Sequence, residues 1–206
     1  MWKGFTILLM VALAAVSCSH GVSRIRTRPL PNPNPTTYSF PLPIQQVHAK
    51  GLQAFSMAHQ YKEPIFNQSA RADYWRSTLL TECSTNALSA KSLFADPANA
   101  NDIHLHSSGT PFAISAVYRG RDGGLPFFAT FHLHLAENGS ETVVAVRTYD
   151  AQVVNGMKFG MGSCGPGQRW NYVKVTPTTV EEYTVLGYLG RHLGITNMPA
   201  VILPAQ

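Results

Sequence analysis

The chain has 206 residues, 16 basic and 11 acidic, for a formal charge of +5. Charged residues are only 13% of it and form no basic stripe interleaved with aromatics, so the concentrated footprint of a nucleic-acid binder is missing. The length suits one domain of ordinary size, able to bury a full core without metal or disulfide staples.

The N-terminus reads MWKGFTILLMVALAAVSCSHG. Lys3 precedes an apolar run of 12 residues, Phe5 to Val16, whereas a span of the bilayer core needs about 20. A short charged start, a short apolar centre and small residues at the end predict a secretory signal over residues 1–17. The segment Ala14-Ala15-Val16-Ser17-Cys18 resembles a bacterial lipobox, although Ala15 stands where Leu is commonest. The resemblance implies that Cys18 is acylated and becomes the mature N-terminus. Each buried acyl methylene contributes about 0.8 kcal/mol, so the first expected partner is a membrane. The expected location is the cell envelope, facing the periplasm or the exterior. Loss of residues 1–17 removes Lys3 alone and leaves +4.

Residues 18–36 show no apolar periodicity, and Pro29, Pro31, Pro33 and Pro35 alternate with other residues. Such a stretch favours extended polyproline-II chain and predicts a tether. Arg24, Arg26 and Arg28 within it could lie near anionic headgroups.

A single α+β domain is expected over residues 37–206. Thr37 to Leu42 reads as a strand. After Pro43, the residues Ile44, Val47, Gly51, Leu52, Phe55 and Ala58 recur at helical spacing. Trp75, Leu79, Cys83, Ala87, Ala90 and Phe94 allow one or two further helices, ended by Pro97. From residue 102 the period becomes two. Strands are expected around 103–105, 112–118, 125–135, 141–149, 153–159 and 170–175. Asn138-Gly139 between two alternating runs is a strong hairpin signal. With that pair as the turn, Leu135 faces Thr142, Leu133 faces Val144 and Phe131 faces Val146. A last helix follows, with a capping box at Thr179-Val180-Glu181-Glu182 and an apolar face of Tyr183, Leu186, Leu189 and Leu193. Gly187 and Gly190 suggest close approach to the sheet, and Gly194 a stop.

The expected fold is therefore a curved antiparallel sheet of about six to seven strands packed against a C-terminal helix. This element order resembles the helix-grip arrangement of START-like domains. The resemblance implies a space between sheet and helix that could take an apolar ligand.

Half of the eight histidines fall in two His-Leu-His triplets, His104 and His106, and His132 and His134. Strand parity turns Ile103, Leu105, Phe131, Leu133 and Leu135 inward, which leaves all four imidazoles on the outer face. In a simple meander the triplets would stand two strand spacings apart, about 9.6 Å. Zinc or another transition metal on these histidines is the alternative to a wet sheet face, with Asp102 as an added oxygen ligand. No HExxH helix is present. An oxidising compartment permits a Cys83–Cys164 disulfide. The GxGxxG run from Gly160 to Gly165 continues into Pro166-Gly167 rather than a helix, so it reads as a turn between strands. The functional expectation is a membrane-tethered, non-catalytic domain that binds an apolar ligand or an envelope protein. The alternative is a metal-dependent hydrolase built on the histidine pairs.

Overall fold

The computed structural model describes residues 24–61, 94–99, 101–106, 113–121, 123–162 and 165–205. Cys18, Cys83 and Cys164 lie outside them, as do the helices expected around Trp75 and Ala87. One antiparallel sheet holds β1 (Arg26–Thr27), β2 (Thr37–Phe40), β3 (Phe94–Asn99), β4 (Asp102–His106), β5 (Ala113–Gly120), β6 (Gly123–Asn138), β7 (Glu141–Gly162) and β8 (Gly165–Lys174). The described residues also form helices α1 (Ile44–Tyr61) and α2 (Thr179–His192). The α+β class and the curled sheet against a C-terminal helix are as expected, with eight strands among the described residues once the two-residue β1 is counted.

β6 organises the sheet. Alternate residues Phe127, Ala129, Phe131, Leu133 and Leu135 are buried, four of them completely. Each large apolar side chain so buried contributes roughly 1.5–3 kcal/mol. One edge of β6 pairs with β7 and the other with β4 and β5 in succession: Phe131 stands between Leu105 and Thr148, and Phe127 between Ala113 and Val153. β4 and β5 thus act as one interrupted strand, so the simple meander does not occur.

The hairpin register also differs. Asn138 stays in the ladder opposite Glu141, and Gly139-Ser140 forms the loop, with Gly139 at φ 64°. A positive φ at the first loop position suits a type II′ turn with glycine there. Leu135 therefore faces Val144, Leu133 faces Val146 and Phe131 faces Thr148. The slip is two residues, which preserves the inward and outward faces.

β7 is one strand where two were expected. Asp150 and Ala151 stand opposite the single residue Ala129, and Asp150 has φ 51°. A second shift lies between Val154 and Met157, beside Gly156 at φ 76°. Bulges bend a strand and increase its twist, so β7 curls without breaking. The glycine-rich run closes the β7–β8 hairpin, Gly162 opposite Gly165, as a strand-linking turn. β3 replaces the end of an expected helix. Its Pro97 falls at a register shift between Asp96 and Asn99, on the outermost strand, where a missing N–H is tolerated.

Both helices cover the inside of the curl. Ile44, Val47, Ala54 and Phe55 of α1 meet Val185, Leu186, Tyr188 and Leu189 of α2 in one buried cluster with Phe40 and the β6 residues. The Tyr188 ring stacks on Phe55 at 5.5 Å, and its hydroxyl donates to the Ala54 carbonyl at 3.1 Å. Among the described residues these side chains pack α1 against α2.

The cap of α2 sits one residue earlier than expected. Thr178 is the N-cap, accepting from the Val180 N–H and donating to the Glu181 carboxylate. Thr179 instead accepts from the Asn34 N–H at 2.9 Å. The helix ends in a Schellman arrangement: Gly194, at φ 78°, donates to Arg191, and Ile195 donates to Gly190.

Residues 24–36, expected as a free tether, belong to the folded domain. Arg26 pairs with Arg119 and Thr27 with Tyr118, and the Arg28 N–H donates to Val117. Asn34 is 4% exposed. Its amide donates to the Ile202 carbonyl at 2.9 Å and accepts from the Ile202 N–H at 2.6 Å. The alternating prolines give the extended backbone, but backbone pairing and the Asn34 clamp hold it down.

Two carboxylates are buried in the first turn of α2. Glu181 and Glu182 are 4% and 5% exposed. Burial pushes Glu181 up to about 7 and also raises Glu182, against the opposing hydrogen bonds from Thr178 and Thr148. Tyr118 rises to about 12 through burial and the charge of the two glutamates.

A raised carboxyl favours the protonated, folded form. Its contribution is complete below 4.5 and is lost as the pH rises through about 7. The stability difference between Glu181→Gln and the natural chain should therefore grow by about 3 kcal/mol across that window, read by urea unfolding; a pH-independent difference contradicts the assignment. Glycines separate similarly. A Cβ on Gly124 would lie 2.5 Å from the Ser115 carbonyl oxygen, whereas one on Gly187 meets nothing within 4 Å. Gly124→Ala should cost about 1–3 kcal/mol, and Gly187→Ala should gain up to about 1 kcal/mol from helix propensity, both measured by thermal unfolding.

Candidate functional site: an imidazole–carboxylate cluster on the outer sheet face

Because β4 lies directly on β6, the two histidine triplets are neighbours. His104 stands opposite His132, and Asp102 opposite His134. Directly opposed residues in an antiparallel pair have Cβ atoms about 4.5–5.5 Å apart, half the separation expected from a meander. The His104 and His132 rings meet edge to face at 4.7 Å. His106 holds the register position opposite Thr130.

Asp102 gathers two of the rings. Its Oδ1 lies 2.8 Å from Nε2 of His132 and 2.8 Å from Nδ1 of His134. The carboxylate is 15% exposed, His132 29% and His134 56%. The deepest member is thus the carboxyl group, an acceptor to which each imidazole can donate an N–H. That assignment leaves Nδ1 of His132 and Nε2 of His134 as the free lone pairs. A carboxylate behind an imidazole is the usual orienting partner for a metal-ligating histidine. It equally suits an imidazole presented to a partner's hydrogen-bond donor.

The strand on the other side completes the face. Arg147 of β7 pairs with His132, and the Tyr149 ring lies 6.4 Å from it. Tyr149 is 46% exposed. Beyond the Asp150 bulge, Phe128 meets Tyr172 edge to face at 5.5 Å. Parity alone predicts His132 and His134 beside Arg147; the central role of Asp102 needs the β4–β6 pairing, which residue spacing does not reveal.

Among the described residues, no group of three His, Cys, Asp or Glu side chains converges on a point suited to a metal ion. His104, His132 and His134 share a face but not a common centre, since two of them turn toward Asp102. Among the described residues no helix is long and apolar enough to cross a membrane. Comparisons with protein-family models, curated proteins and solved structures find no match.

If the cluster takes an ion, equimolar zinc added to the full chain should shift the imidazole resonances of His104, His132 and His134 together. Asp102→Asn should then weaken that binding by about 10- to 100-fold. Unmoved resonances remove the metal assignment.

Proposed function

We propose that the chain is an exported, lipid-anchored, non-catalytic domain of the cell envelope, which binds or assembles with a partner there. The observation that carries this reading is the N-terminal sequence, a charged start and short apolar run closing on the lipobox-like Ala15-Val16-Ser17-Cys18. Seven residues, 19–25, lie between Cys18 and Arg26, where β1 begins. The outer face of the sheet, with its imidazoles, Arg147 and Tyr149, offers such a partner polar contacts. An apolar ligand between sheet and helix is the other form of this reading.

A metal-dependent hydrolase is the second reading. The contact of His104 with His132 favours it, because it brings the triplets to one place. It requires Asp102 to release at least one ring, or to become a ligand itself.

The anchor is tested by growing cells with an alkyne-tagged fatty acid. The natural chain should incorporate the tag and partition into detergent, and Cys18→Ser should do neither. An untagged natural chain recovered in the soluble fraction would falsify the lipoprotein reading.

A further inference from the structure

We propose that the β1 edge of the sheet is a basic face that seats against anionic phospholipid headgroups, laying the domain on the membrane in one orientation. The identity of that membrane as the one holding the chain's own anchor rests on the lipoprotein reading above.

Register brings the charges together. Arg26 is directly opposite Arg119 across the β1–β5 ladder. Like charges in that relation destabilise a sheet, so the pair works against folding unless an anion lies over it. The Arg28 N–H bond to Val117 continues the same register. Carried two residues the other way, it sets Arg24 level with Arg121. Arg24, Arg26 and Arg121 are exposed, and Arg28 and Arg119 are half-buried. On the opposite face of β1 an open cleft of about 530 Å³ is lined by Ile25, Thr27, Tyr118 and Lys174. Five of the 15 cations that follow Cys18 therefore gather at the arginine edge. Among the described residues none of the five has a carboxylate partner. Asp122 lies outside those residues. Glu181 and Glu182 lie near Tyr118 and are buried, 4% and 5% exposed.

Chain length supplies the occupant. Cys18 and Arg24 are six residues apart, which spans roughly 20 Å at full extension. An acylated Cys18 would thus hold the corner carrying Arg24 and Arg121 within reach of the headgroups. Screening at physiological salt acts over about 8 Å, and modest settling onto the surface brings the remaining charges inside that range. Each such cation near an anionic surface is worth about a five-fold gain in partitioning.

Vesicle co-sedimentation of the full-length Cys18→Ser chain tests the face without the acyl group. Vesicles of phosphatidylcholine with about one-third phosphatidylglycerol should retain it at least ten-fold more than phosphatidylcholine alone, and 0.5 M salt should abolish the difference. R26E/R119E should abolish the anionic preference, since each lost cation alone removes about five-fold. The charge-matched double K50E/R191E, placed away from this edge, should not. Equal retention on both vesicle types, or equal losses in the two doubles, overturns the proposal. So does binding to heparin with no vesicle preference, which would assign the face to a soluble polyanion. The two readings fail separately. Anionic preference without fatty-acid incorporation in the natural chain leaves the face and removes the anchor; incorporation without the preference does the reverse.

Discussion

Everything in this fold hangs on β6 being hydrogen-bonded along both edges while one of its two faces is sealed from water. Phe127, Phe131, Leu133 and Leu135 are completely buried beneath α1 and α2. A strand so placed cannot slip by one residue, because the slip would put His132 and His134 into the core and the leucines into solvent. A two-residue slip leaves the faces alone, which is why turn chemistry, and not burial, decides whether Asn138 sits in the loop or in the ladder. The polar cluster is the obligatory other side of this arrangement. Its imidazoles are outside because the apolar residues between them must be inside.

The curl of the sheet solves a second problem. A 22-residue strand as long as β7 would run well past the domain if straight. Two bulges, each beside a residue in the left-handed region, Asp150 and Gly156, turn it so that its first half pairs with β6 and β2 and its second half with β8. The concave side this creates is filled by two helices that touch through Phe55 and Tyr188. Two buried glutamates at the start of α2 are the cost of that close packing, offset in part by hydrogen bonds from Thr148 and Thr178. Two surfaces of the domain differ in kind. One carries a carboxylate with imidazoles around it. The other carries arginines that have no carboxylate partner among the described residues.

Much of the domain was legible from residues 102–138 and 179–194. Period-two alternation over Phe127–Leu135 placed β6 and its faces correctly, and Gly194 marked the end of α2. The capping box was displaced by one residue because Thr178 and Thr179 are both followed three places later by a glutamate; the competing bond from Asn34 to Thr179 decides between them. The alternating prolines suggested an unattached segment for a sound local reason, since they predict extended backbone. An extended backbone is also what a sheet edge recruits, and the partners of this one, Val117 and Ile202, are remote in the chain.

The sequence alone determined which way the side chains of β6 from Phe127 to Leu135 point, because side-chain direction along a strand follows from local geometry with period two. It also carries the N-terminal pattern on which the envelope reading rests. Tertiary structure alone decided which strands adjoin. It set β4 beside β6, so that His104 meets His132 and Asp102 holds two imidazoles, and it set β1 beside β5, so that Arg26 faces Arg119. Pairing between strands is a contest among edges far apart in the chain, settled by how the whole core closes, and no local spacing of residues records its outcome.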